Sequence, residues 1–365
     1  MKFVDEFRMP DAAQGMVERI HRLAARCGEV TFMEVCGTHT MAIYRHGIRQ
    51  LLPPNVRMLS GPGCPVCVTP NVYLDRAIAL ARSENFILTT FGDMMRVPGS
   101  SSSLGEEKAW GCDIRVVYST LDAMAVAREN PGKEVVFLGV GFETTAPTVA
   151  AAVLEARATG LRNFSVLSAA KIIPPAMAAL VADPALRLDG FLCPGHVSVV
   201  IGTEPYEFLA RDHGLPCVVA GFEALDVLQS VVMLLQQVVE HRAEVEIAYR
   251  RVVAPKGNPA ARKILDDAFE VTDSVWRGLG VLPRSGLKLK PELRSHDAYR
   301  FEVDVEPTRE HPGCACGEVL RGIKTPFDCK LFGKVCTPDE PVGACMVSSE
   351  GTCAAAWRYG RTDLG

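Results

Sequence analysis

The chain has 365 residues, 48% of them hydrophobic and 22% charged, with a formal net charge of -4. This is the balance of an ordinary globular protein with room for two or three domains. No polybasic run or basic–aromatic stripe occurs, which excludes nucleic acid as an expected partner.

The first residues, "MKFVDEFRMP", are charged and lack the apolar core of a signal peptide. The most apolar helical stretch, 227–239, is interrupted by Gln and Ser and is too short to span a bilayer. A cytoplasmic protein without membrane contact is therefore expected. Thirteen cysteines are then an anomaly. Cytosolic thiols stay reduced, so metal ligation or thiol chemistry explains them better than structural disulfides.

In chain order, apolar residues at helical spacing predict an amphipathic helix over 10–26. "VTFMEV" (30–35) reads as a strand, followed by a helix through "MAIYRHGIRQLL". "VRMLS" (56–60) is a second strand, and Thr69 with Pro70 reads as the N-cap and first residue of the next helix. "NFILTTF" (85–91) and "IRVVYS" (114–119) are the third and fourth strands, and a helix starts near Leu121. The pattern repeats with "EVVFLGV" (134–140), "NFSVLSA" (163–169), "DGFLCP" (189–194) and "PCVVAG" (216–221), with helical segments between them. A long helical stretch is read from Ala224 to Val252, and another helix over 256–270, capped near Asn258. From Pro283 the chain becomes dense in Pro, Gly and Cys. The expectation is two similar parallel-sheet α/β domains plus a small C-terminal cluster domain. The boundaries are an N-terminal helix at 1–28, α/β domains at 29–130 and 131–255, and the C-terminal unit at 256–365.

Six of the cysteines, Cys314, Cys316, Cys329, Cys336, Cys345 and Cys353, fall in the C-terminal unit. Four thiolates around a metal centre would tie such a loop-rich segment together. The spacings are wide and hold no pair of zinc-ribbon knuckles, which favours an iron–sulfur cluster over structural zinc. Composition does not say which four are ligands. The alternative is a set of buried, unligated cysteines.

Other cysteines follow strands: Cys36 in "EVCGTHT", Cys64 and Cys67 in "GPGCPVC", and Cys193 in "CPGHVS". Ligands bind at the carboxyl ends of parallel strands. There a thiol meets a helix N-terminus, which lowers its pKa. Nothing in the first α/β unit supplies a second close cysteine pair to complete a zinc site with Cys64 and Cys67, so they read as a dithiol redox pair; the alternative is a Gly/Pro-rich turn that happens to bring them close. His39 and His196 are candidate bases or metal ligands, or else hydrogen-bonded loop histidines. Asp93 and Glu143 also follow strands and are expected to face the same cleft. Cys27, Cys112 and Cys217 read as packing residues. Neither a phosphate-binding P-loop nor a dinucleotide-binding GxGxxG is present.

Five motifs, "CGTHT" (36–40), "GPGCPVC" (61–67), "GFETTAP" (141–147), "PGHVS" (194–198) and the tail "CGEVLRG…GACMVSSEG", closely resemble those of the HypD family of NiFe-hydrogenase maturation proteins, in order and over nearly the whole chain. The resemblance implies a redox-active scaffold that assembles the Fe(CN)2CO unit with a HypC-type chaperone, a HypE-type protein supplying the cyanide. It implies a 4Fe–4S cluster on Cys316, Cys329, Cys336 and Cys353, with Cys314 and Cys345 as non-ligands. Cys36 would bind the transient iron carrying cyanide and carbon monoxide; beside that resemblance, the residues themselves put Thr38, Asp93 and Glu143 forward as further cofactor-binding candidates and His39 and His196 as catalytic ones. Cys64 and Cys67 would be the redox dithiol, relaying electrons from the cluster to that iron. Apart from these partners a monomer is expected. The competing readings are a stand-alone cluster-dependent disulfide reductase and a non-catalytic binding module.

Overall fold

All eight apolar runs form parallel strands in the computed structural model, which describes residues 10–360. The expected units reach beyond this at 1–9 and 361–365, and those residues, with most of "MKFVDEFRMP", lie outside the described ones. The strands are β1 (Val30–Glu34), β2 (Val56–Ser60), β3 (Phe86–Thr90), β4 (Ile114–Val116), β5 (Glu134–Gly139), β6 (Phe164–Ser168), β7 (Gly190–Pro194) and β8 (Cys217–Ala220). Three more follow: β9 (Val245–Ile247), β10 (Phe269–Trp276) and β11 (Gly280–Leu289). The helices used below are α1 (Pro10–Ala24), α2 (Gly37–Arg45), α3 (Asn71–Ala81), α4 (Gly195–Ile201), α5 (Ala224–Val239), α6 (Pro259–Ala268) and α7 (Thr352–Tyr359).

The strands form two parallel sheets, but not two consecutive sets of four. One sheet runs β2-β1-β7-β8-β9 and the other β4-β3-β5-β6. The chain thus lays down β1 and β2, leaves to build the whole second sheet, and returns to finish the first. The two α/β units are present, but their sheets do not follow the division at 29–130 and 131–255. A strand–helix alternation specifies parallel pairing without specifying which strands become neighbours.

Three local readings change. The helix expected from Ala224 to Val252 stops at Val239, where His241 turns the backbone into the left-handed region (φ 53), and the β-branched Val245 and Ile247 add the edge strand β9. Thr69 does not cap α3; Pro70 is the N-cap, and the Thr69 hydroxyl donates back to Pro65 O at 2.8 Å. The helix expected over 256–270 ends at Ala268, and Phe269 opens an antiparallel hairpin over 269–289 with alternating burial along β10.

The register sets the site. β1 pairs with β2 from Val30↔Val56 to Glu34↔Ser60, and with β7 up to Glu34↔Leu192. β7 in turn pairs with β8 up to Pro194↔Ala220. The loops that leave the carboxyl ends of these four strands therefore emerge side by side. Beneath them, Met33, Val35 and Phe191 share one apolar core with Trp276 of the hairpin and with Val319, Leu320 and Met346 of the tail. The cysteine-rich tail is folded into this shared core, since it could bury too little apolar surface alone.

Candidate metal and thiol site

Cys36 ends the segment leaving β1 and is the N-cap of α2, with extended backbone (φ -147, ψ 123). The turn is fixed from below by Glu34, which is fully buried. Its carboxylate accepts from Cys36 N at 3.0 Å and from Thr40 Oγ1 at 2.5 Å. Burial pushes the Glu34 carboxyl up to about 7 against these hydrogen bonds.

The "GPGC" loop lies directly on this turn. Gly61 N donates to Glu34 O at 2.8 Å, and Gly37 N donates to Gly63 O at 2.9 Å. A Cβ on Gly63 would come within 2.1 Å of Cys36 N, so only glycine allows this approach. Cys64 then caps the one-turn helix Pro65–Val68, its sulfur accepting from Cys67 N at 3.2 Å. Cys64 and Cys67 are buried and joined to one another as a disulfide.

The tail packs on this turn from the other side. Thr38 Oγ1 donates to Glu350 Oε1 at 2.7 Å, and Gly37 lies so close to Glu350 that a Cβ there would meet the Glu350 Cβ at 2.5 Å. Tyr44 of α2 packs with Ala355 and Ala356 of α7. Cys67 Sγ lies 3.9 Å from Ala344 O, next to Cys345.

The environment of Cys36 reverses one expectation. Burial pushes its thiol up to about 12, the Glu350 and Glu34 carboxylates push the same way, and the amides of His39 and Thr38 oppose them only in part. The helix N-terminus therefore does not make Cys36 a ready thiolate; the cost of a buried anion beside two carboxylates is larger.

Both histidines stack on Phe222, which follows β8. Ring centroids are 4.7 Å apart for His39 and 3.9 Å for His196. Burial holds the His39 imidazole down to about 4, so it is neutral. Its Nε2 faces the carbonyls of Gly221 (2.9 Å) and Ala220 (3.3 Å) and so carries the proton, which leaves Nδ1 as a buried acceptor without a hydrogen-bond partner. His196 is exposed; partial desolvation lowers its pKa, and the Glu350 carboxylate works the other way.

The six tail cysteines form a nest in and beside the shared core. Their sulfurs run in contact from Cys314 to Cys316 to Cys345, and Cys345 Sγ donates to Cys353 Sγ at 3.1 Å. Cys336 accepts from Val342 N at 3.4 Å, and Cys329 is half-buried at the edge. Among the described residues, no three His, Cys, Asp or Glu side chains converge on a point that would hold a single ion. The donor set nonetheless suits a soft multi-iron group: the nest is thiol-rich, a backbone amide points at the Cys336 sulfur, and the Arg277 charge favours thiolate at Cys314 and Cys316.

Asp93 and Glu143 follow β3 and β5 of the second sheet, and among the described residues neither forms a hydrogen bond with Cys36. Arg96, in the same turn as Asp93, donates to Val347 O at 3.0 Å and so ties that turn to the tail. Glu143 is buried, with Ile173 N donating to Oε1 at 3.0 Å and Oε2 unpartnered. Cys193 lies within β7 and is hydrogen-bonded to Cys217, a buried pair on adjacent strands. Cys27 is half-buried, its thiol 3.5 Å from Ala24 O, and Cys112 donates to Glu107 at 3.9 Å. Sequence reasoning did not single out Glu34, Phe222 or Glu350. The available signals were an acidic residue inside an apolar strand and the glutamate in "SSEG".

The chain matches known proteins over nearly its whole length. Residues 11–360 match the family model described as "HypD: Hydrogenase formation hypA family". The chain is 51% identical to the hydrogenase maturation factor HypD2 of Bradyrhizobium diazoefficiens, over 99% of this chain and 97% of that protein. It is 50% identical to the hydrogenase maturation factor HypD of Rhizobium leguminosarum bv. viciae, over 99% and 96%. It is 46% identical to the hydrogenase maturation factor HypD of Escherichia coli, over 98% of each.

Proposed function

The chain belongs to the HypD family of hydrogenase maturation factors, and from that premise we propose that it is a redox-active scaffold on which the Fe(CN)2CO unit is assembled with a HypC-type chaperone. One observation carries the reading: the Cys36 turn is held between the loop bearing the Cys64–Cys67 disulfide and the tail residue Glu350.

Cys36 supplies the thiolate for the iron cargo. A sulfur donor suits low-spin iron carrying cyanide and carbon monoxide. Because the buried group is a thiol before loading, iron binding releases its proton, and the exposed His196 beside Glu350 gives that proton a route to solvent. Thr38 and Glu350 set the wall of the pocket. The Cys64–Cys67 couple exchanges two electrons: reduction consumes two electrons and two protons and yields two thiols. Cys316, Cys329, Cys336 and Cys353 would hold a 4Fe–4S cluster, which when bound supplies one-electron chemistry. A HypE-type protein would bring the cyanide.

A stand-alone disulfide reductase fits less well. Cys64 and Cys67 are 3% and 0% exposed, so a diffusible disulfide has no path to them in this conformation. The test is infrared spectroscopy of the chain purified with its HypC-type partner. Cyanide and carbonyl bands are expected in the wild type and absent in Cys36→Ser. Unchanged bands in both Cys36→Ser and Cys64→Ala/Cys67→Ala would overturn the reading.

A further inference from the structure

A cavity of about 540 Å³ lies beyond the carboxyl end of β6, between the hairpin β10–β11 and the start of α3. It belongs to the second sheet and shares no residue with the Cys36 pocket. Much of its wall is apolar, including Val275, Leu287 and the exposed ring of Tyr299.

Three cationic side chains line it, and one of them, Lys288, is paired with Glu270 at 2.9 Å, which leaves Lys171 and Arg76. Lys171 is 2% exposed, and its Nζ donates to Ser274 Oγ at 2.9 Å and Val275 O at 2.7 Å. An ammonium has three donors, so one has no hydrogen-bond partner; beyond the two bonds Nζ lies 5.3 Å from the Trp276 ring centre. Arg76 gives Nη2 to the carbonyls of Tyr299 (3.1 Å) and Phe301 (2.6 Å), while its buried Nε has none. Among the described residues no carboxylate forms an ion pair with either. The acids on the wall are engaged with backbone amides: Asp273 accepts from Arg284 N, and Asp297 accepts from Tyr299 N. Burial alone holds Lys171 down to about 7, which is the mark of an amine without a counter-charge.

Buried cations are ordinarily paired. Here the buried Lys171 and the half-buried Arg76 leave donors without a hydrogen-bond partner beside one cavity, at the strand end where parallel sheets take ligands. We propose that this cavity binds a small organic anion, a carboxylate or phosphate ester with a flat apolar body, its oxyanion taking the open donors of Lys171 and Arg76. The apolar wall would take the body, as in most small-molecule sites.

The test is calorimetric titration of the full chain with benzoate, phenyl phosphate and the neutral benzamide. At least one of the two anions binds, and which one distinguishes carboxylate from phosphate as the recognised group. Benzamide binds at least about tenfold more weakly, and Arg76→Gln and Lys171→Met each weaken the anion by about tenfold. If Lys171→Met does not fold, Arg76→Gln, at a half-buried residue, carries the test alone. No binding by either anion, benzamide binding as tightly as benzoate, or an Arg76→Gln protein with unchanged affinity would each overturn the proposal.

Discussion

Thr38 and Glu350, 312 residues apart in sequence, are joined by a 2.7 Å hydrogen bond from Thr38 Oγ1 to Glu350 Oε1. This bond fastens the tail over the first turn of α2. A hydroxyl–carboxylate bond at a half-buried position contributes about 1–2 kcal/mol. A double-mutant cycle of Thr38→Val and Glu350→Ala, each of which removes the bond, should give a coupling energy of that size in denaturant unfolding. Fully additive effects would mean that the tail is held by its apolar contacts alone.

The contact of Gly63 with Cys36 leads to a second prediction. A methyl group at Gly63 meets backbone atoms, which cannot swing aside as a side chain can. Gly63→Ala should therefore cost more than about 3 kcal/mol, or fold only by displacing Cys36. Gly15 is the control: it is exposed on α1, and a Cβ there has nothing within 4 Å. Gly15→Ala should stabilise by about 0.5–1 kcal/mol, the ordinary gain for alanine in a helix. Unfolding midpoints of the two variants check both signs at once.

The same residues show how far the sequence could be read. Apolar runs such as "VTFMEV" and "EVVFLGV" marked the strands because a strand buried on both faces is apolar throughout. The cysteine and histidine positions of the site were legible because their motifs follow strands. The pairing of β1 with β7 was not legible, because a contact across about 160 residues leaves no local periodicity. Glu34 was passed over because an acid in a strand looks like a solvent-facing residue, whereas here it ties three backbone and side-chain donors together. The hairpin at 269–289 did carry a signal, the alternation in "FEVTDSVW", but the helix before it masked its start.

Glu143 gives a pH dependence. Burial raises its carboxyl from 4.5 to about 7 in the folded chain. Between those values the unfolded chain has lost the proton and the folded chain still holds it. Fewer protons on the unfolded state mean that stability falls as pH rises through this window, by up to about 3 kcal/mol, and the loss levels off above pH 7. Glu34 is raised in the same direction and adds its own share. Glutamine resembles the neutral acid and keeps the acceptor for Ile173 N, so Glu143→Gln should flatten the slope and be more stable than wild type at pH 8. An unchanged slope from pH 4.5 to 8 would show that Glu143 reaches water in the folded state.

Cys345 separates contact from ligation. It sits between Cys316 and Cys353, closer to both than a bystander need be, yet the family resemblance leaves it outside the ligand set. A ligand thiolate carries a metal bond that alanine cannot replace, whereas a buried thiol that only packs is a small apolar group with a weak S–H donor. Cys345→Ala should therefore keep the wild-type content of iron and acid-labile sulfide, with a stability cost of about 1 kcal/mol. Cys314→Ala should do the same. Alanine at Cys316, Cys329, Cys336 or Cys353 should each abolish the bound iron and sulfide. If Cys345→Ala empties the protein while Cys329→Ala leaves it loaded, the ligands follow the chain of touching sulfurs instead, and the half-buried Cys329 is the bystander.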